Sequence, residues 1–278
     1  MGLIRSLGRA GIRVTFASAY SRLESKWESD YLQLPRDKTG WLEVLSGYAT
    51  SCRGMPAIFP VDDEAAFFLD ENHIQLSQYC YISHASGNLR RLADKRVMGE
   101  LAEKSGLAVP ESTLLHMDSC PETPPMLPLI LKPHAAYAGG KGDIRICRND
   151  EEYAEAMAYL REKRYTEILA QRLLDDAEQF EIGLMGISLP DGTVVIPCTI
   201  RKIRSYPAGR GSTSYARLLP GIAYADGNAL KSFVRSTGYV GIFDIEMMIS
   251  GGSAWFIEIN YRNGQYGYAP TAAGYNLP

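Results

Sequence analysis

Apolar and polar residues alternate along residues 241–264, GIFDIEMMISGGSAWFIEINYRNG, in the pattern of two strands joined by a Gly-Gly turn. Strand side chains alternate with period two, so Asp244, Glu246 and Met248 share one face of the first strand. Ile245, Met247 and Ile249 share the other. On the second strand Glu258, Asn260 and Arg262 share a face, against Ile257, Ile259 and Tyr261 as core. A turn centred on Gly252 places Glu246 opposite Glu258 and Asp244 opposite Asn260.

The same pattern reads through the rest of the chain. Residues 2–10 predict a helix stopped by Gly11, and 12–17 a strand. A helix-then-strand opening leads us to expect a preceding strand and turn outside this sequence, a fold that starts with this helix being the alternative. A helix at 39–51, a strand at 57–61 and a helix at 64–72 predict a small parallel α/β lobe, with Asp62 and Asp63 as helix caps. Residues 88–105 read as one helix with the stripe Leu89, Leu92, Val97 and Leu101, ended by Gly106. Lys95 lies within it. A strand at 112–116 and a proline-rich connector at 121–128 lead to a buried strand, 128–133, ending in Lys132. A Gly-rich loop at 135–142 carries Lys141 and leads to a strand at 144–147. Asn149 or Asp150 caps a helix to about residue 164. Strands follow at 167–171, 178–188 and 193–201, the last two joined at Asp191-Gly192. Residues 201–213 read as a basic, Gly-containing loop, and 225–236 as a helix. The tail 269–278 is apolar.

A length of 278 residues, 46% of them hydrophobic, is enough for a large core divided into two or three lobes. The net charge of −3 has no block of one sign, which argues against nucleic acid or an anionic membrane as partner. No apolar run approaches the ~20 residues of a membrane span. The five cysteines are scattered and none pairs at metal spacing, which predicts reduced thiols in a cytoplasmic protein.

Two facing carboxylates destabilise a sheet unless something positive lies between them. With the Asn260 amide beside them, Glu246 and Glu258 are oxygen donors suited to Mg²⁺. Arg262, on the same face, can offer a planar fork to a phosphate. A solvated acidic hairpin is the alternative. Lys132 ends an apolar strand, where an isolated ammonium is costly, so it calls for an anion. The 135–142 loop can close over phosphates or be a plain connection. No GxxxxGK[ST] occurs, so a nucleotide would bind by an architecture other than a P-loop.

Six pieces occur in one order: Asp94-Lys95, LILKP at 129–133, the Gly loop to Gly142, AQRLLDDAEQFE at 170–181, the 201–213 segment, and GIFDIEMM with FIEINYR. Together they resemble the ATP-grasp superfamily of carboxylate–amine ligases, near carbamoyl-phosphate-synthase-like and D-aspartate-ligase-like members. The resemblance implies an α/β fold, with a partial N-terminal lobe at 1–87 and an ATP-grasp domain at 88–278 clamping ATP. It implies Lys95, Lys132 and Lys141 on the phosphates and a hinge near 171–175. There Gln171, Arg172, Leu173 and Leu174 meet the base, and Glu178 the ribose. Glu246, Glu258 and Asn260 match the Mg²⁺ (or Mn²⁺) ligands. Arg262, Arg201 and Lys202 match the residues that stabilise charge during the reaction. The implied substrates are a small carboxylate, such as an amino acid, and an amine, joined through an acyl phosphate. A phosphotransferase and a nucleotide-binding module without turnover are the alternatives. Relatives run on beyond the point matching Pro278. Both ends are therefore expected to leave apolar surface uncovered, with dimerisation through the N-terminal lobe.

Overall fold

A computed structural model describes residues 2–22, 24–134, 141–176, 178–206 and 212–278. The N-terminal part runs through α1 (Gly2–Arg9), β1 (Thr15–Ser18), β2 (Asp30–Gln33), α2 (Trp41–Ser51), β3 (Ala57–Ile58), α3 (Asp63–Glu71), α4 (His73–Leu76) and β4 (Tyr81–Ile82). β1 pairs in parallel with β2, and β3 in parallel with β4. β2 (DYLQ) is a strand that hydrophobic patterning misses, because it is short and only half-buried. Asp62 caps α3 by accepting the Ala65 N–H at 2.7 Å, as expected.

The predicted helix over 88–105 is two helices, α5 (Leu89–Leu92) and α6 (Lys95–Lys104). The break comes at Asp94, whose carboxylate accepts the N–H groups of Arg96 and Val97 as an N-cap. Lys95 thereby moves from mid-helix to the first residue of α6, where its backbone N–H reaches the His134 carbonyl at 2.8 Å.

β5 (Ser112–His116), β6 (Leu129–Lys132), β7 (Arg145–Cys147), α7 (Asp150–Glu162) and β8 (Glu167–Arg172) build the next layer. The sheet order is β5-β8-β6-β7, all antiparallel. α7 starts at the Asn149 cap and packs Tyr153, Met157 and Leu160 onto Leu129, Leu131 and Ile168.

β9 (Phe180–Ser188), β10 (Val194–Val195), β11 (Cys198–Tyr206), β12 (Ser212–Pro220), α8 (Gly227–Ser236), β13 (Gly241–Ser250), β14 (Ser253–Asn260) and α9 (Ala269–Ala272) complete the chain. Their sheet has the order β12-β11-β9-β13-β14, with β10 beside β9. The described part of the expected basic loop 201–213 is strand: Arg201, Lys202 and Arg204 lie on β11, paired with β12. β12 escapes the sequence reading because most of it is exposed or half-buried, so it lacks an apolar face.

The two faces of this sheet differ. Phe243, Ile245, Met247 and Ile249 pack with α6 and α8 in the largest core. Ile242, Met185 and Ile200, on the opposite face, are sealed by Leu3, Ile4 and Leu7 of α1. The tail does not leave α1 bare as expected. The Thr271 hydroxyl donates to Ser6 Oγ at 2.7 Å, Asn276 Nδ2 donates to the Ser6 carbonyl at 3.1 Å, and Leu277 packs in the same cluster. Among the described residues no helix is long and apolar enough to cross a membrane.

Candidate functional site

The β13–β14 hairpin sets the geometry. Gly251 and Gly252 both have positive φ, +57° and +74°, the conformation a two-residue turn requires. From that turn Met248 pairs with Trp255 and Met247 with Phe256. A bulge then inserts Ile257, after which Glu246 pairs with Glu258, Ile245 with Ile259 and Asp244 with Asn260. The expected facing pair is therefore present, but by a different route: the turn lies half a residue earlier, and the bulge restores the register. Ile257, expected in the core, is the half-buried bulge residue, and Phe256 takes its place at 1% exposure.

Each facing carboxylate meets a lysine from another element. Glu246 pairs with Lys202 of β11 at 2.9 Å, and Glu258 with Lys95 of α6 at 3.3 Å. Lys202 also pairs with Glu181 of β9 at 2.7 Å. Burial pulls the Lys202 ammonium pKa down, but Glu246 and Glu181 together outweigh it and hold the pKa above the ordinary lysine value. Arg262 donates from Nε to Asp63 Oδ1 at 2.6 Å and from Nη2 to Asn260 Oδ1 at 3.2 Å. Asp63 is thus an arginine anchor rather than a helix cap.

Lys132, at the end of β6, is 7% exposed and donates to Gln171 Oε1 at 2.8 Å. Burial lowers its pKa to about 8; the nearby Lys95 charge adds to this and Glu258 opposes it. Asp244, at 3% exposure, is pushed up to about 7 by burial and by Glu246, with Lys202 and Arg262 pulling the other way. These mutual influences place Lys95, Lys132, Asp244, Glu246, Glu258, Lys202 and Arg262 in one electrostatic neighbourhood.

The other predicted residues are dispersed around it. Leu173 and Leu174 line a cleft of about 300 Å³ with Asp176, Ser250 and Trp255. Trp255 pairs with Met248, one pleat from Glu246, so the cleft adjoins the charged face. The Arg172 side chain is turned to Glu111. Glu178 is exposed, and its backbone N–H donates to Asp176 Oδ1 at 3.2 Å. Asp176 Oδ2 accepts the Gly251 N–H at 2.7 Å and so ties the segment after β8 to the hairpin turn.

Arg201 does not join the cluster. It pairs with Ile182, which pairs with Met247, so it lies on the α6–α8 face, 3.9 Å over the Phe180 ring. Period two separates it from Lys202, the next residue. Residues 135–140 and the Lys141 side chain lie outside the described residues, as does 207–211. Sequence reading missed Glu181, Asp63 and Asp176. Only Glu181 carried a signal: it alternates with Phe180 and Ile182 and so had to face the same side as Lys202.

Among the described residues no group of three or more His, Cys, Asp or Glu side chains is arranged to hold a metal. Glu246, Glu258 and Asn260 offer two carboxylates and one amide oxygen. That set fits Mg²⁺, which keeps part of its shell for water and phosphate oxygens.

No family model matches the chain, and no curated protein does. Solved structures do. An L-amino acid ligase from Bacillus licheniformis superposes with a TM-score of 0.69 at 16% identity, over 99% of this chain and 68% of that one. A biotin carboxylase from Campylobacter jejuni, in a nucleotide complex, gives 0.70 at 15% identity over 99% and 66%. The biotin carboxylase domain of Hydrogenobacter thermophilus 2-oxoglutarate carboxylase, with MgADP and bicarbonate, gives 0.64 at 20% identity over 94% and 61%. The chain has the ATP-grasp fold. It spans about two thirds of the length of these proteins.

Proposed function

We propose that the protein is an ATP-dependent ligase that activates a small-molecule carboxylate and joins it to an amine. The observation that carries this reading is the facing Glu246–Glu258 pair, countered by Lys202 and Lys95, with buried Lys132 beside it. Paired carboxylates and three converging ammonium groups suit a polyanion that arrives with a divalent cation. The domain boundaries at 87/88 and the hinge at 171–175 belong to the same reading.

Glu246, Glu258 and Asn260 would hold Mg²⁺. When bound it neutralises the phosphate oxygens and aligns the γ-phosphoryl group. Lys132 and Lys95 hold the phosphates. Both are pre-positioned, one by Gln171 and the other by the start of α6. Leu173, Leu174, Met248 and Trp255 supply apolar surface for the base, and the hinge backbone its polar edge. Residues 248–250 lie two to four positions along β13 from Glu246. At ~3.3 Å per residue this puts the base end about 7–13 Å from the carboxylate pair.

Arg262 and Lys202 face the place where charge develops. The substrate carboxylate attacks the γ-phosphoryl group, ADP leaves, and an acyl phosphate results. The amine then displaces phosphate through a tetrahedral intermediate whose oxyanion these cations stabilise. Positioning supplies most of the rate, so no side-chain nucleophile is needed.

Hydroxylamine offered as the amine tests the acyl phosphate directly. With Mg-ATP and the correct carboxylate it should yield a hydroxamate in step with ADP. ADP release without hydroxamate points to transfer of phosphate alone.

A further inference from the structure

Arg262 is gripped at two of its three guanidinium nitrogens. Nε donates to Asp63 Oδ1 at 2.6 Å and Nη2 to Asn260 Oδ1 at 3.2 Å, while Nη1 has no hydrogen-bond partner among the described residues. A guanidinium is planar, so two such bonds fix its plane and the direction in which the third nitrogen points. Asp63 answers it with a full charge and a short bond, Asn260 only with an amide dipole at longer range. The orientation of Arg262 therefore rests chiefly on Asp63.

Asp63 is free for this because its neighbour caps the helix. Asp62 accepts the Ala65 N–H, and among the described residues no backbone N–H is donated to Asp63. The same turn is fixed to the end of β14 a second time: the Pro60 carbonyl accepts the Asn263 N–H at 3.2 Å. Residues 60–63, from the N-terminal part of the chain, so bracket residues 260–263. The pairing also sorts charge. Lys202 takes Glu246, Lys95 takes Glu258, and Asp63 takes Arg262. Without Asp63 the guanidinium can turn to the carboxylates of β13 and β14 instead; its charge already acts on Asp244.

A cavity of about 30 Å³ is lined by Asp63, Lys95, Glu258 and Asn260. That is room for about two waters. It is too small for a nucleotide, so Asp63 acts through Arg262 rather than by contact with phosphate. Resting on the ligase reading above, we propose that Asp63 is a positioning residue, which holds Arg262 with Nη1 directed at the γ-phosphate of the bound nucleotide. The N-terminal part of the chain thereby takes part in telling a triphosphate from a diphosphate. Losing Asp63 removes that discrimination and leaves the contacts to the rest of the nucleotide in place.

The test titrates the whole chain, in Mg²⁺, with ADP and with the β,γ-imido analogue of ATP by calorimetry. Asp63→Ala should weaken the analogue about 10-fold and leave ADP within about a factor of two. Asp63→Asn, which keeps the shape and loses the charge, should move the same way, and Asp63→Glu should recover part of the loss. Arg262→Met should lose the same factor, and adding Asp63→Ala to it should lose nothing more. A merely structural Asp63 would weaken both nucleotides together and would add to Arg262→Met. The proposal is overturned if Asp63→Ala and Asp63→Asn bind the analogue as the wild type does, if ADP falls as far as the analogue, or if the loss persists in the Arg262→Met background. Failure of the wild type to bind either nucleotide contradicts the ligase reading itself and takes the proposal with it.

Discussion

Glu246 and Glu258 face each other directly across the β13–β14 pair, and each is balanced by a lysine from a different element. Lys202 reaches Glu246 from β11, two strands away, and Lys95 reaches Glu258 from the start of α6. The repulsion built into the hairpin is thus offset by the elements that close the site.

Lys202 is the first test of that balance. Its side chain is 11% exposed and serves both Glu246 and Glu181. Lys202→Met leaves two carboxylates without their shared cation, at a cost of about 2–4 kcal/mol. Mg²⁺ should then raise the melting temperature of the variant more than that of the wild type. Equal Mg²⁺ responses in the two proteins would contradict this.

Lys132 gives a pH signature. Its pKa is lowered from 10.5 in the unfolded chain to about 8 in the folded one. Between those values the unfolded state carries more of the proton, so stability rises with pH across about 8 to 10.5. Below pH 8 the buried charge destabilises the nucleotide-free protein by on the order of 3 kcal/mol. Lys132→Met should remove the rise and preserve or increase stability near neutral pH, while weakening ATP binding by roughly 10–100-fold. Urea denaturation from pH 7 to 10.5, with calorimetric ATP titration, checks both halves.

Asp176 couples the segment after β8 to the hairpin turn by accepting the N–H groups of Gly251 and Glu178. Asp176→Ala should reduce ATP affinity several-fold. Glu178→Ala removes only an exposed side chain that points at no described partner, unless Glu178 meets the ribose as the family resemblance implies. A double comparison of the two variants by ATP titration separates hinge positioning from ribose contact.

Gly264 lies against the Asp244 carboxylate. Gly264→Ala forces the 263–267 turn or β13 to shift and should destabilise by about 1–3 kcal/mol. Gly47→Ala, on an open helix surface, serves as the control and should not destabilise. Chemical denaturation of the two variants decides it.

What the sequence disclosed was local. The alternation through 241–264 was enough to place Glu246 opposite Glu258, because each strand buries one whole face. The bulge at Ile257 was not legible: the half-residue shift of the turn and the bulge cancel beyond it, so both readings leave Glu246 opposite Glu258 and Asp244 opposite Asn260. β12 was missed because a mostly exposed strand has no apolar period to detect. The single helix predicted over 88–105 failed at Asp94, a capping residue set inside a continuous apolar stripe that hides the break. The Asp63–Arg262 pair joins residues 199 apart and depends on how α3 packs beside β14, which no local pattern carries. Arg201 was placed in the site because residues 201–213 were read as a loop; as a strand, its period of two sends Arg201 to the opposite face.

The central claim is that this face binds Mg-ATP and turns it over only when a carboxylate is present. ADP release from Mg-ATP, measured across a panel of carboxylates and amines in the wild type and in Glu258→Gln, tests it most directly. ADP formation should require a carboxylate, be completed by an amine, and fall on the order of 10²-fold or more in Glu258→Gln with the fold intact. Carboxylate-dependent ADP release that is unchanged in Glu258→Gln, or no ATP binding by the wild type, would contradict it.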